Sequence, residues 1–254
     1  ELRDALTKLY IRNLKTNKEE ELIITEEKVI SPGVALMQKD RDTNKIYIAY
    51  SSPKTPGESY IYNIDTKGKK LIKKEIIPSG HNPDDYIVER LNCNSHDNKK
   101  IPLTITRHKK TKLDGSANLL LYAYGSYGAS VGPGFSASRL SLINRNIIWV
   151  TAHVRGGMER GMNWWKSGKL LKKMNSFRDY ISSAKFLIEK KYTSKGKIIG
   201  MGGSAGGLLM GAVVNESPEL FLGMIMAVPF VDTLTTNLNH SLPLTVGEFD
   251  EFGN

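Results

Sequence analysis

The sequence predicts an α/β fold with a mostly parallel sheet and flanking helices, preceded by a short all-β piece. Beyond about residue 80, apolar strand-like segments alternate with segments of helical periodicity, an alternation typical of α/β proteins. Before residue 80, short β-branched and aromatic segments follow one another with turn sequences between them. We therefore expect two domains, residues 1–80 and 81–254.

Four short strands are predicted in the first domain. They are Val34–Met37, Ile46–Tyr50, Ser59–Ile64 and Leu71–Ile77. The residues between them are rich in Gly, Pro, Asp and Asn, which favour turns. Four strands in succession can form one antiparallel sheet, such as one blade of a β-propeller. Pro78–Pro83 is the best candidate for the linker to the second domain.

The second domain is predicted to begin with a hairpin and to continue with alternating strands and helices. The predicted strands are Tyr86–Leu91, Ile101–Thr106, Asn118–Ala123, Asn146–His153, Lys197–Met201 and Phe221–Pro229, the last four buried. Asn175–Lys191 is the clearest helix, because its apolar residues recur every three or four positions, and Asn175 or Ser176 is placed to cap it. Gly207–Val214 is predicted to be an apolar helix.

The most informative motif lies between the last two of these strands. Gly202, Ser204 and Gly206 form the pattern G-x-S-x-G, which predicts the nucleophile elbow of an α/β-hydrolase, here a partial one. The glycines allow a sharp turn and a close approach of helix and strand. Ser204 is therefore predicted to be the nucleophile of an acyl transfer. The backbone N–H of Ala205 is predicted to donate to the oxyanion that forms.

Two glycine-rich loops follow strands that can face this elbow. In Tyr124–Gly128, a tyrosine hydroxyl or a backbone N–H can supply the second oxyanion donor, and the alternative is a plain aromatic turn. Arg155 stands beside Gly156 and Gly157 at the end of the next strand. It either holds a loop through bidentate hydrogen bonds or binds a carboxylate.

Glu248 and Asp250 form a pair of carboxylates near the C-terminal end of the sequence. In an extended segment, residues two apart lie on the same side of the backbone. In a chain of net charge +10, this pair either receives a cationic side chain or forms a solvated acidic turn. Composition alone leaves both alternatives open.

The composition excludes several classes of protein. No segment has the ~18 continuous apolar residues of a membrane span, and the N-terminal residues do not form a signal peptide. The lysines are dispersed in short runs, so we expect no nucleic-acid partner. Cys93 is the single cysteine, which suits a reducing cytoplasm. No residue pattern points to a metal or a cofactor, and we expect none.

Six motifs in sequence order resemble the prolyl oligopeptidase family (serine peptidase family S9), most closely its oligopeptidase B branch. They are Tyr124–Ala129, Val154–Gly157, Gly202–Gly207, Val228–Asp232, Ser241–Thr245 and Gly247–Asn254. The resemblance covers roughly residues 80–254, and residues 1–80 look like the end of the family's β-propeller. It implies a serine peptidase that hydrolyses short peptides after Lys or Arg, with a basic P1 residue on the amino side of the scissile bond.

The resemblance also implies roles for individual residues. Ser204 matches the nucleophile, and the Tyr127 hydroxyl and the Ala205 N–H match the oxyanion donors. Glu248 and Asp250 match the two acidic positions that bind the basic P1 side chain. Arg155 is carried over with them as a candidate for substrate binding.

Three departures from the family pattern are visible. Val131–Gly134 lacks the aspartates linked to a basic P2 preference, and Met158 replaces a glycine. The matched region also ends before the family's catalytic Asp and His, so we expect a truncated chain. Asp232 and His240 follow Ser204 in the order of a hydrolase triad, but the family match gives neither that role.

These observations support three functions as expectations. The first is an oligopeptidase B-like serine peptidase that is inactive alone and gains its Asp and His from a complementary C-terminal fragment. The second is a non-catalytic remnant that binds peptides or a partner chain. The third, with less support, is an esterase whose atypical triad uses Asp232 and His240.

Overall fold

The N-terminal part of the chain forms three small antiparallel sheets. The computed structural model describes residues 1–36, 43–243 and 245–253. The strands of this part are β1 (Leu2–Arg3), β2 (Leu6–Thr7), β3 (Tyr10–Arg12), β4 (Glu19–Glu21), β5 (Ser31–Leu36), β6 (Lys45–Ser51), β7 (Glu58–Asn63) and β8 (Lys69–Lys74). β1 pairs with β2, β3 pairs with β4, and the last four form a meander in the order β5-β6-β7-β8.

The meander matches the four strands predicted from the sequence, with ends shifted by no more than three residues. Met37, at the end of the first predicted strand, lies outside the described residues. One face of β6 is buried because apolar residues alternate along this strand, and Ile46, Ile48 and Tyr50 pack with Leu22 and Ile24. The four strands of residues 1–24 are not predicted, since each has only two or three residues and no alternating pattern.

A six-stranded mixed sheet organises the second part of the chain. Its strands are β9 (Tyr86–Asn94), β10 (Lys100–His108), β11 (Leu119–Tyr122), β12 (Ile148–Ala152), β13 (Ile198–Gly203) and β14 (Phe221–Ala227). They lie in the order β14-β13-β11-β12-β10-β9. The four strands from β14 to β12 are parallel, whereas β9 and β10 form an antiparallel hairpin. This arrangement confirms the predicted α/β fold with a mostly parallel sheet.

Helices cover both faces of this sheet. They are α1 (Ala137–Ile143), α2 (Met162–Lys166), α3 (Met174–Glu189), α4 (Ala205–Glu216), α5 (Thr233–Leu238) and α6 (Thr245–Phe252). α3 and α4 share the main core with alternate side chains of the strands, among them Ile148 and Val150 of β12. Trp149 points to the other face, where it packs with Leu140 and Ile143 of α1. Burial of the sheet on both sides explains why its strands are nearly continuous in apolar residues.

Two details differ from the sequence prediction. β14 is predicted to be buried, yet most of its residues are exposed because it is the edge strand, and among the described residues only β13 pairs with it. α3 begins at Met174 with no side-chain cap, so Asn175 and Ser176 are not its caps. They donate instead to the carbonyl oxygens of Ser167 and Arg155. Within the described ranges, no helix is long and apolar enough to cross a membrane.

Candidate active site

Ser204 occupies the sharp turn between β13 and α4. Its backbone is at φ 54° and ψ −121°, a conformation that is strained for a residue with a side chain. The turn is held from both sides, because the Ser204 N–H donates to Ala227 O at 2.9 Å and the Ser204 carbonyl accepts from Phe230 N at 3.0 Å. The side chain is exposed at the carboxyl ends of the parallel strands. This geometry is that of a nucleophile elbow.

Gly202 and Gly207, on either side of the turn, leave no room for side chains. A Cβ on Gly202 would lie 2.3 Å from the carbonyl oxygen of Gly206, and one on Gly207 would lie 2.6 Å from Pro229. Real Cβ atoms do not approach so closely, so these positions require glycine. The glycines therefore allow α4 to start close to the end of β13 and to Pro229, which follows β14.

Two groups beside Ser204 are suited to donate to an oxyanion. Ala205 is the first residue of α4, so its N–H has no acceptor within the helix. Tyr124 follows β11, and its ring and backbone lie against Gly206 at the start of α4. Burial raises the pKa of the Tyr124 hydroxyl, although the neighbouring Ser204 hydroxyl has the opposite effect. Tyr124 therefore stays a proton donor next to Ser204.

Tyr127, the predicted oxyanion residue, has a different partner. Its hydroxyl donates to Oε2 of Glu248 on α6. Burial and this hydrogen bond both raise the pKa of Tyr127, so its proton is kept. Two tyrosines lie in one glycine-rich loop of the sequence, and only their neighbours in the fold distinguish them. The hydroxyl beside Ser204 is that of Tyr124, which the sequence reasoning missed.

An aromatic wall connects Ser204 with Glu248. The Tyr124 and Tyr127 rings have centroids 6.1 Å apart, and Tyr127 meets Phe252 edge-on at 5.9 Å. Phe252 in turn packs on Phe230 at 5.5 Å, and Phe230 is the residue whose N–H binds the Ser204 carbonyl. Ser204 and the Glu248 carboxylate therefore lie at two ends of an aromatic surface.

Glu248 and Asp250 do not share a side of the backbone, because their segment is helix α6 rather than an extended strand. At 3.6 residues per turn, positions two apart point in different directions, whereas Glu248 and Glu251 share a face. Asp250 is 79% exposed and pairs with Lys169 at 3.1 Å. Glu251 is 2% exposed and binds Lys173 at 3.1 Å and the Trp165 indole N–H at 2.8 Å.

Arg155 lies buried in a network of acidic residues. Its side chain is 3% exposed and binds Oδ1 of Asp179 at 2.6 Å and Oδ2 of Asp97 at 2.7 Å. Asp179 is fully buried and also accepts from the Arg155 N–H. With the guanidinium engaged in this way, the geometry favours the loop-holding role of Arg155 over its expected role as a substrate contact.

None of the five histidines of the sequence is hydrogen-bonded to Ser204 in the described residues. His153 is buried and bonds to Thr104 at 2.8 Å, and the His240 ring packs edge-on against Phe249. The polar contacts of the remaining three are with Lys54, Ser95 and Lys110. Asp232 caps α5 by accepting from Thr235 N, so Asp232 and His240 do not form the atypical triad.

Comparisons with known proteins agree with this geometry. Residues 133–254 match the model of the "Prolyl oligopeptidase family". The chain is 39% identical over 245 residues to dipeptidyl aminopeptidase BI of Pseudoxanthomonas mexicana, covering 96% of this chain and 34% of the relative. It is 41% identical over 218 residues to Protease 2 of Moraxella lacunata, covering 86% and 32%. The chain thus spans about a third of the length of the curated relatives it matches.

Solved structures show the same relationship. Oligopeptidase B from Trypanosoma brucei, in a closed form with covalently bound antipain, superposes with a TM-score of 0.91 at 35% identity. The superposition covers 99% of this chain and 36% of that structure. The nucleophile elbow, the sheet order and these similarities together show that the chain belongs to the prolyl oligopeptidase family of serine peptidases and is similar to oligopeptidase B.

Proposed function

We propose that this chain carries the nucleophile and the P1 site of a serine oligopeptidase that cleaves short peptides after Lys or Arg. The observation that carries the proposal is the exposed Ser204 on its elbow, joined by an aromatic wall to the carboxylate of Glu248. The aliphatic stem of a Lys or Arg side chain fits an aromatic wall, and its cation fits a carboxylate at the far end.

In the proposed reaction, the Ser204 hydroxyl attacks the carbonyl carbon of the basic residue itself. The C=O π bond opens, and the oxyanion receives hydrogen bonds from the Ala205 N–H and the Tyr124 hydroxyl. Collapse of the intermediate breaks the C–N bond and leaves an acyl-enzyme, which water then hydrolyses. A general base must take the Ser204 proton and return it to the leaving amine. None of the described histidines lies at Ser204 to do so.

We therefore propose that the chain gains its catalytic Asp and His from a complementary C-terminal polypeptide. The exposed edge of β14, next to the elbow strand β13, is a place where such a polypeptide can add strands. Without a base, the loss of rate approaches that of removing the whole triad. The alternative of a non-catalytic peptide-binding remnant rests on the same absence of a histidine at Ser204. The single, buried Cys93 favours a cytoplasmic location.

Turnover of a fluorogenic dipeptide that ends in Arg tests this function. We expect the 254-residue chain alone to give no hydrolysis above that of its Ser204→Ala variant. Addition of the segment that follows the matched region in Protease 2 of Moraxella lacunata is expected to produce hydrolysis that depends on Ser204. An Ala-ended dipeptide is the control for the basic P1 residue.

Each outcome decides between the alternatives. Serine-dependent turnover by the chain alone would contradict the need for a complement. Binding of an Arg-ended peptide without turnover in either preparation would favour the non-catalytic remnant. Equal cleavage of the Arg- and Ala-ended substrates would contradict the basic P1 preference.

A further inference from the structure

Helix α6 carries the carboxylates of Glu248, Asp250 and Glu251, and their partners differ. Lys169 and Lys173 come from one short segment between α2 and α3. Lys169 pairs with Asp250, and Lys173 pairs with Glu251. Glu248 has no ion pair with a Lys, Arg or His side chain in the described residues, and its recorded partner is the neutral Tyr127 hydroxyl.

The Lys169 ammonium is fixed by more than its pair with Asp250. It lies 3.9 Å above the centroid of the Trp165 ring, and its side chain is 13% exposed. An ion pair with a carboxylate as exposed as Asp250 is weak by itself. The aromatic face and the burial of the aliphatic stem hold the ammonium in place, so Asp250 is already paired with an internal cation.

Lys173 fixes the third carboxylate in the same way. Its ammonium donates to Glu251 Oε1 and to the Gly125 carbonyl at 2.8 Å, while Trp165 binds the other Glu251 oxygen. Both oxygens of Glu251 are thus occupied. Because Gly125 follows Tyr124, this lysine also ties the tyrosine loop to α6.

We propose that Lys169 and Lys173 neutralise Asp250 and Glu251 and leave Glu248 as the single carboxylate of α6 that binds the P1 cation. This inference rests on the basic P1 preference proposed above and changes its expected pair of acidic residues to one. Lys169 is then a specificity-determining residue, because it decides whether Asp250 can take part in binding an external cation.

Fluorescence titration of the 254-residue chain with p-aminobenzamidine, a mimic of the arginine side chain, tests the inference without requiring catalysis. Glu248→Gln is expected to weaken binding about tenfold or more, the effect of losing a charge-assisted hydrogen bond. Asp250→Asn is expected to change it by less than about twofold, since Lys169 already pairs with that carboxylate. Lys169→Met frees Asp250 and is expected to tighten binding about threefold.

The double variant supplies the decisive comparison. In the Lys169→Met background, Asp250→Asn is expected to reverse the tightening, whereas in the native background it has little effect. Lys172→Met is the matched control, because Lys172 is an exposed lysine of the same segment. Thermal unfolding of each variant checks that the fold is intact.

The contradicting outcomes are distinct. A loss from Asp250→Asn in the native background as large as that from Glu248→Gln would overturn the inference. An equal effect of Lys172→Met and Lys169→Met would assign the change to net charge and would also overturn it. Failure of the native chain to bind the probe at all would overturn the proposed P1 site itself.

Discussion

Tyr124 and Tyr127 stand three positions apart in one loop and face different partners. The backbone turns sharply between them, since Gly125 is at φ 70° and Tyr127 at φ 57°. As a result Tyr124 lies beside Ser204, while Tyr127 reaches Glu248. The two hydroxyls are therefore placed for separable roles, one beside Ser204 and one beside Glu248, the carboxylate proposed to bind the P1 cation.

Phenylalanine substitutions test this separation. In the chain supplemented with the complementary C-terminal segment, the rate at which a fluorophosphonate modifies Ser204 is expected to fall by about 10²-fold or more in Tyr124→Phe, because an oxyanion donor is lost. Tyr127→Phe is the matched control and is expected to change the rate by less than about twofold. Labelling is followed by intact mass. A larger loss in Tyr127→Phe than in Tyr124→Phe would return the oxyanion role to Tyr127.

The geometry of the elbow requires glycine at one position of β13 but not at the next. Gly202 and Gly203 are adjacent at the end of β13, yet their surroundings differ. A Cβ on Gly202 would meet the Gly206 carbonyl oxygen at 2.3 Å, whereas one on Gly203 would meet Ala227 O at an ordinary 3.4 Å. The first clash involves backbone atoms of α4, which cannot move without displacing the turn.

Alanine at these two positions is expected to have unequal effects on stability. Gly202→Ala should lower the free energy of unfolding by about 1–3 kcal/mol or more, as overpacking does in other cores. Gly203→Ala should change it by less than about 1 kcal/mol, because its Cβ makes ordinary contacts. Urea denaturation measures both values. Similar losses in the two variants would show that strain at the turn is not set by the Gly206 contact.

The elements of the site differ in how far sequence predicts them. The strand–turn–helix of the elbow is predicted from the sequence and found in the structure, because its strand, serine and helix are contiguous in the chain. Helix α6 is not predicted, because eight residues with three carboxylates carry only a weak helical pattern. The pairs of Lys169 and Lys173 with α6 join segments that are distant in sequence, and no local pattern reveals them.

At the scale of the whole molecule, one edge of the six-stranded sheet is formed by the exposed strand β14. β14 pairs with β13 on one side, and the described residues contain no strand on its other side. Leu222, Ile225 and Met226 on this strand are exposed, as are Leu234 and Leu238 on the neighbouring α5. An apolar strand with unpaired backbone groups is a template for association with another chain.

We therefore expect the purified 254-residue chain to self-associate through this edge. Ile225→Lys should reduce the association, because a charged side chain on an edge strand opposes pairing. Ile76→Lys is the control, since Ile76 is exposed outside any strand. Light scattering after size-exclusion chromatography measures the mass of the species. Equal masses of the two variants would place the association elsewhere.

The ammonium of Lys173 has a consequence for kinetics. It bonds the Gly125 carbonyl, which adjoins Tyr124, and the Glu251 carboxylate, which adjoins Asp250 on α6. Any shift of α6 on cation binding therefore acts on the tyrosine that faces Ser204. Basic and neutral peptides should then differ in turnover number as well as in affinity, because binding of the cation and reaction at Ser204 are coupled.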